Sequence, residues 1–160
     1  MTGEGGEVPA FAYTRVVFHP TYPSEATINI KKFVIAVLGV GVAVNVYDFV
    51  VNGMILQNAV YAGMPIFKQN MPLPWLIIGD FVAALVLVWV FDRVYGCFSG
   101  GVKGGAEFGF YAGVLINFPT WIFCYLLLNG FTYKLAWIMT VVGIIWAIIG
   151  GAVAGALYKK

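Results

Sequence analysis

Charged residues are scarce in this chain: Asp, Glu, Lys and Arg make up only 10% of its 160 residues, against about 25% in an average soluble domain. Hydrophobic residues make up 61%. A soluble chain of this length cannot hide so much apolar surface, because a small domain has too much surface for its volume. The composition therefore excludes an ordinary soluble domain and indicates a protein that is surrounded by lipid.

Residues that bind metals or carry redox chemistry are equally rare. His19 is the only histidine, and the two cysteines, Cys97 and Cys124, lie far apart in the sequence. These absences remove most metal and redox motifs, so we expect no metal site. We find no nucleophile–base pair, and we expect no catalytic residues and no enzyme activity. The net charge of +2 comes without a basic stripe, so nucleic acid is not an expected partner.

Four long apolar runs contain most of the hydrophobic residues, and each is long enough to cross a hydrocarbon core of about 30 Å. We therefore predict an all-α, integral membrane four-helix bundle. A transmembrane domain is expected over residues 33–157, after a short irregular N-terminal arm over residues 1–32. The predicted helices cover about residues 33–56, 73–95, 106–128 and 134–157.

The basic residues are distributed unevenly between the two predicted sides of the membrane. Lys68 and Lys134 fall on one side. The other seven of the nine basic residues fall on the opposite side: Arg15, Lys31, Lys32, Arg93, Lys103, Lys159 and Lys160. Because Lys and Arg are enriched in cytoplasmic loops, we predict a multi-pass protein of the bacterial inner (cytoplasmic) membrane with both termini in the cytoplasm.

Two acidic residues, Asp48 and Asp80, lie inside apolar runs. A charged side chain at such a depth is costly, so it usually faces the bundle interior or a water-filled cavity. At 1.5 Å per residue, both carboxyl groups are expected about 10–12 Å below the outer ends of their helices. We predict one intramembrane polar cluster that draws on all four helices: Asn45, Asp48, Asn52, Asp80, Asn117, Thr120 and Thr140.

Three roles for this polar cluster remain open. Polar contacts between transmembrane helices often only hold the helices together. Alternatively, the cluster is a site for a small molecule, a lipid or an ion, or it takes part in the translocation of protons or solutes.

Small residues recur at helical spacing on several of the predicted helices. Such residues allow helix backbones to approach closely. We predict that seven of them pack helix against helix: Gly41, Gly109, Gly113, Gly143, Ala147, Gly151 and Gly155.

The N-terminal arm carries aromatic and apolar side chains that we expect to anchor it to a partner. Ordering a residue's backbone costs about 1–2 kcal/mol, so the arm should be ordered only by contact with another protein, a lipid headgroup or a cofactor. The expected anchors are Phe11, Tyr13, Val17, Phe18 and Tyr22.

Two segments carry a resemblance to known proteins. Residues 48–56, with the sequence DFVVNGMIL, together with Tyr61 and the helix over residues 75–93, resemble small bacterial four-helix membrane proteins of unknown function. The resemblance covers about residues 40–157 and leaves the arm outside. It implies the fold and supplies no activity.

These features favour a non-catalytic accessory or structural subunit of a larger membrane complex. We expect an energy-converting complex, either electron-transfer or photosynthetic. Its partners would be membrane lipids and other membrane protein subunits, with lipid, pigment or quinone held at the helical faces. The alternative is a small transporter or proton-conducting protein that uses Asp48 and Asp80.

Overall fold

A computed structural model describes residues 29–67 and 72–158 of the chain. The described part is helical apart from short connections, and it contains four helices that are long and apolar enough to cross a membrane. The prediction of an all-α four-helix bundle is therefore confirmed. The predicted anchors of the N-terminal arm lie outside the described residues: Phe11, Tyr13, Val17, Phe18 and Tyr22.

The first span consists of two differently wound parts. Helix α1 covers Ile30–Asp48 and continues directly into a π-helical segment, Phe49–Tyr61, which we call the π segment. The remaining helices are α2 (Leu73–Val94), α3 (Gly101–Leu127) and α4 (Tyr133–Leu157). Side-chain caps fix two of the helix starts: Asn29 accepts from the backbone N–H of Lys32 at 3.1 Å, and Thr132 accepts from that of Leu135 at 3.2 Å.

Two helix boundaries differ from the sequence prediction. Helix α3 begins at Gly101 rather than near residue 106, because Gly104 and Gly105 are buried in its first turns instead of forming a loop. Tertiary packing thus overrides the poor helix propensity of glycine. The first span continues to Tyr61 rather than ending near residue 56. We call the end of the bundle at which the π segment stops the Tyr61 end, and we call the opposite end the Tyr158 end.

The helices are not arranged in chain order around the bundle. Helix α1 packs against both α2 and α4, and α3 packs along α4. Helices α2 and α3 meet only marginally. A cleft therefore opens between α2 and α3, with α4 at its base.

Helices α3 and α4 approach so closely that their backbones touch. A Cβ atom built on Gly105 would overlap the carbonyl oxygen of Gly151, and one on Gly109 would overlap that of Ala147. Gly151 and Gly155 face α3 in the same way. Because the overlapping atoms belong to backbone, no side-chain rotation can make room. The interface therefore requires glycine at these positions, as in small-residue contacts between transmembrane helices.

The other predicted packing glycines meet side chains. Gly41 of α1 faces the ring of Phe81 on α2, and Gly143 of α4 faces the amide of Asn117 on α3. Gly113 lies against both the Cβ of Ala147 and the backbone of Ile144, each 3.0 Å from its built Cβ. Gly41 and Gly143 thus leave space for a large neighbouring side chain, and Gly113 belongs to the close contact between α3 and α4.

A buried polar contact ties the helices together at the Tyr158 end. Asp92 of α2 is only 2% exposed and accepts a hydrogen bond from the hydroxyl of Tyr158, which is 1% exposed. Burial and the hydrogen bond to Asp92 raise the pKa of the Tyr158 phenol. The two residues lie 66 positions apart in the sequence, so the sequence does not indicate their contact.

Candidate functional site

The centre of the candidate site is a pair of carboxyl groups. Asp48, the last residue of α1, and Asp80, on α2, are both partly buried, and their carboxyl groups are close neighbours. Both residues line one cavity together with Trp146 of α4. Three helices therefore contribute to the site.

A chain of hydrogen bonds leads from the pair towards the Tyr61 end. The amide nitrogen of Asn52 donates to Asp48 Oδ1 at 2.7 Å, and the hydroxyl of Tyr61 donates to Asn52 Oδ1 at 2.9 Å. The same hydroxyl lies 3.1 Å from the sulfur of Met139 on α4. The carboxyl pair is thus connected through Asn52 to a buried tyrosine at the end of the π segment.

The π winding explains why Tyr61 reaches Asn52. The two residues are nine positions apart, and in an α-helix of 3.6 residues per turn that separation puts them on opposite faces. A π-helix has about 4.4 residues per turn, so nine positions amount to about two full turns and bring both side chains to one face. The π-helix is rare and appears mostly as single-turn bulges inside α-helices, which are frequently found at functional sites.

The larger of two cavities that reach the pair lies in the cleft between α2 and α3. Its volume is about 940 Å³. Asp48, Asp80 and Asn117 line its polar end, and from there it follows α2 as far as Val94 beside Phe98. Asp80 and Val94 are separated by about 21 Å along the helix, at 1.5 Å per residue. The cavity is therefore long and apolar, with one polar end.

A second cavity, of about 660 Å³, extends from the pair towards the Tyr61 end. Asp48, Asn52 and Asp80 line it as well as the first cavity. Its other walls include Tyr61 and Phe67, whose rings are in contact at a centroid distance of 4.3 Å. The carboxyl pair consequently lies where the two cavities approach each other.

The structure brings together only part of the predicted polar cluster. Asp48, Asn52 and Asp80 form the centre described above. Asn117 lines the larger cavity, where its oxygen accepts a hydrogen bond from Trp121 Nε1 at 3.3 Å. Asn45 lines the second cavity and donates to the carbonyl of Gly41 in its own helix at 2.8 Å.

Two threonines of the predicted cluster, Thr120 and Thr140, lie outside the site. Thr120 is exposed and donates to the Ile116 carbonyl, one turn earlier in α3, at 2.6 Å. Thr140 is buried but donates to the Ala136 carbonyl in the same way, at 2.8 Å. Neither residue lines either of the two cavities. A threonine hydroxyl in a helix can always bond to the carbonyl four residues earlier, so membership of a shared cluster does not follow from the residue type.

The sequence analysis missed Tyr61, Trp121 and Trp146 as members of the site. Tyr61 is 4% exposed and points inward. A constant α-helical period places it on the opposite face from Asn52, so the sequence did not indicate that the two side chains meet. The two tryptophans come from α3 and α4 and line the larger cavity. In so aromatic a chain, only the fold distinguishes cavity-lining tryptophans from those that face lipid.

The donor set of the site does not suit a metal centre. Within residues 29–67 and 72–158, His, Cys, Asp and Glu nowhere form a group of three or more that could hold a metal ion. The acidic centre consists of the two neighbouring carboxyl groups of Asp48 and Asp80. These carboxyl groups can accept hydrogen bonds from a bound molecule at the polar end of a mostly apolar cleft.

Comparison with protein-family models, with curated protein sequences and with solved structures gave no match for this chain. The resemblance to small bacterial four-helix membrane proteins therefore stays a prediction, and function has to be argued from the site itself.

Proposed function

We propose that this protein is a non-catalytic membrane protein that holds one lipid-like amphiphile in the cleft between α2 and α3. The carboxyl pair would anchor the polar group of the amphiphile, and the apolar walls would enclose its chain. The observation that carries the proposal is the shape of the 940 Å³ cavity, which is mostly apolar along α2 and has Asp48, Asn52, Asp80 and Asn117 among its lining residues.

The position of the cleft supports this proposal. A large apolar cavity with a few convergent polar groups is the usual form of a small-molecule site. Helices α2 and α3 make little contact, so a chain from the surrounding lipid can enter sideways between them. Holding an amphiphile is also compatible with the predicted accessory role in a larger membrane complex, which stays a prediction.

Blocking the cleft tests the proposal. Ala83 lines the larger cavity from α2, so Ala83→Trp should fill part of it. Leu38→Trp is the matched control, because Leu38 is 54% exposed on α1 and lines neither cavity. We expect 1-dodecanol, added to the delipidated protein in detergent, to raise the thermal unfolding midpoint of the unmodified chain and of Leu38→Trp. The midpoint of Ala83→Trp should not rise. An equal rise in all three proteins would contradict the proposal.

A second candidate is proton or cation conduction, because both cavities reach the same carboxyl pair. Conduction requires a flux across vesicles that contain the purified protein, and Asp80→Asn should abolish that flux. Binding without conduction predicts vesicles that are no leakier than protein-free ones.

We further propose that the Tyr158 end faces the cytoplasm. Lys31, Lys32, Arg93 and Lys103 lie at this end, whereas Lys134 lies at the Tyr61 end. We expect cysteines introduced at Lys68 and Gly130 to react with an impermeant maleimide added outside intact cells, in a chain lacking its native cysteines. A cysteine at Gly101 should react only after the cells are opened. Reaction at Gly101 alone in intact cells would reverse the orientation.

A further inference from the structure

The hydrogen-bond donors around the carboxyl pair are directed at acceptors within the protein. Asn52 donates to Asp48, and Tyr61 donates to Asn52. Trp121 donates to Asn117. The acceptors that remain for a bound molecule are the other lone pairs of the two carboxyl groups, since each carboxyl group offers about four lone-pair positions. The site is therefore rich in acceptors and poor in free donors.

The charge around the pair is also one-sided. Asp48 and Asp80 are the acidic side chains among the described residues that line the two cavities. Among the described residues that line the two cavities there is no Lys, Arg or His. A negative charge in an apolar site is costly when no cation accompanies it. The cleft is thus complementary to a positively charged group.

We propose that the amphiphile held in this cleft carries a protonated amine as its polar group. An ammonium group has three donors and no acceptor, which matches two neighbouring carboxyl groups. It also brings the missing positive charge, and the tryptophans that line the cavity provide aromatic faces that attract cations. A phosphate or sulfate group would be repelled, and an alcohol would supply one donor and no charge. This inference rests on the proposed function and names its ligand class.

The inference is tested with probes of equal chain length. Dodecylamine, 1-dodecanol and dodecyl phosphate are added at equal mole fractions in dodecyl maltoside micelles, and thermal unfolding midpoints give apparent dissociation constants. We expect dodecylamine to bind at least ten-fold more tightly than 1-dodecanol, and dodecyl phosphate to give no specific stabilisation. Asp80→Asn should remove the preference for the amine while leaving the response to the alcohol. Asp80→Glu, which retains the carboxyl group, should restore the preference.

Each outcome bears on a different claim. Equal affinity for amine and alcohol in the unmodified chain would overturn the amine proposal and leave the proposed function standing. No response to either chain would overturn both. Methylammonium or sodium ions that stabilise the protein as strongly as dodecylamine would identify a site for a small cation rather than an amphiphile. If Asp80→Asn does not fold, the comparison of probes on the unmodified chain and on Asp80→Glu still decides.

Discussion

Replacing Gly109 by valine should lower the free energy of unfolding by about 3 kcal/mol, at the upper end of the usual cost of overpacking. A Cβ atom at this position would overlap backbone atoms of Ala147 and Ile148 on α4. Backbone atoms cannot rotate away, so α3 and α4 would have to separate along their whole glycine contact. Reversible unfolding in mixed micelles of dodecyl maltoside and sodium dodecyl sulfate measures the change.

The matched control is Gly79→Val. Gly79 lies within α2, and a Cβ atom built there meets no atom within 4 Å. Both variants introduce the same β-branched residue into an apolar helix, so helix propensity and the added hydrophobic area are the same. We expect Gly79→Val to stay within about 1 kcal/mol of the unmodified chain. A similar loss in both variants would show that glycine matters for the helices themselves and not for their contact.

Replacing Asp48 by leucine should destabilise the protein by about 3 kcal/mol, whereas Asp48→Asn should cost about 1 kcal/mol. Leucine leaves Asn52 without the acceptor of its hydrogen bond and Asp80 without its polar neighbour. Asparagine retains an acceptor for a neighbouring donor and can itself donate to Asp80. The same unfolding assay reports both values.

Thr120→Val provides the reference for losing a polar group that lies outside the site. Thr120 is exposed and bonds only within its own helix in the described structure, so this change should have little effect on stability.

Equal loss of function from Asp48→Asn and Asp48→Leu, with stability retained, would point to a proton-handling role for the carboxyl pair instead of an anchoring one.

The sequence was sufficient to predict the four spans, because apolar runs of this length are typical of helices that cross a membrane. It also identified Asp48 and Asp80 as unusual, since carboxyl groups are rare within such runs. The depth of Asp80 could be counted along regular α-helix from Leu73. The depth of Asp48 was counted with an α-helical rise across residues that belong to the π segment, and the first span ends at Tyr61 rather than near residue 56.

The sequence could not reveal the change in winding after Asp48. The π segment contains ordinary helix-forming residues, and its apolar pattern does not distinguish a period of 3.6 from one of about 4.4. The inward position of Tyr61 depends on that difference. A tyrosine near the end of a span is typical of the membrane interface, whereas Tyr61 is buried and hydrogen-bonded to Asn52.

Which helices are neighbours was also beyond the sequence. Four apolar helices can form a bundle in several arrangements, and the cleft exists only because α3 packs on α4 while α2 packs on α1. The glycine pattern indicated close packing, but a small residue does not name its partner. The contact between Asp92 and Tyr158 was missed for the same reason.

Native mass spectrometry of the protein extracted from its membrane in mild detergent tests most directly whether one amphiphile occupies the cleft. The measurement compares the unmodified chain with Ala83→Trp, in which the larger cavity is partly filled, and with Leu38→Trp. We predict that the unmodified chain and Leu38→Trp each retain one molecule of the same mass, and that Ala83→Trp retains none. Retention of that molecule by Ala83→Trp, or its absence from all three proteins, would contradict the account.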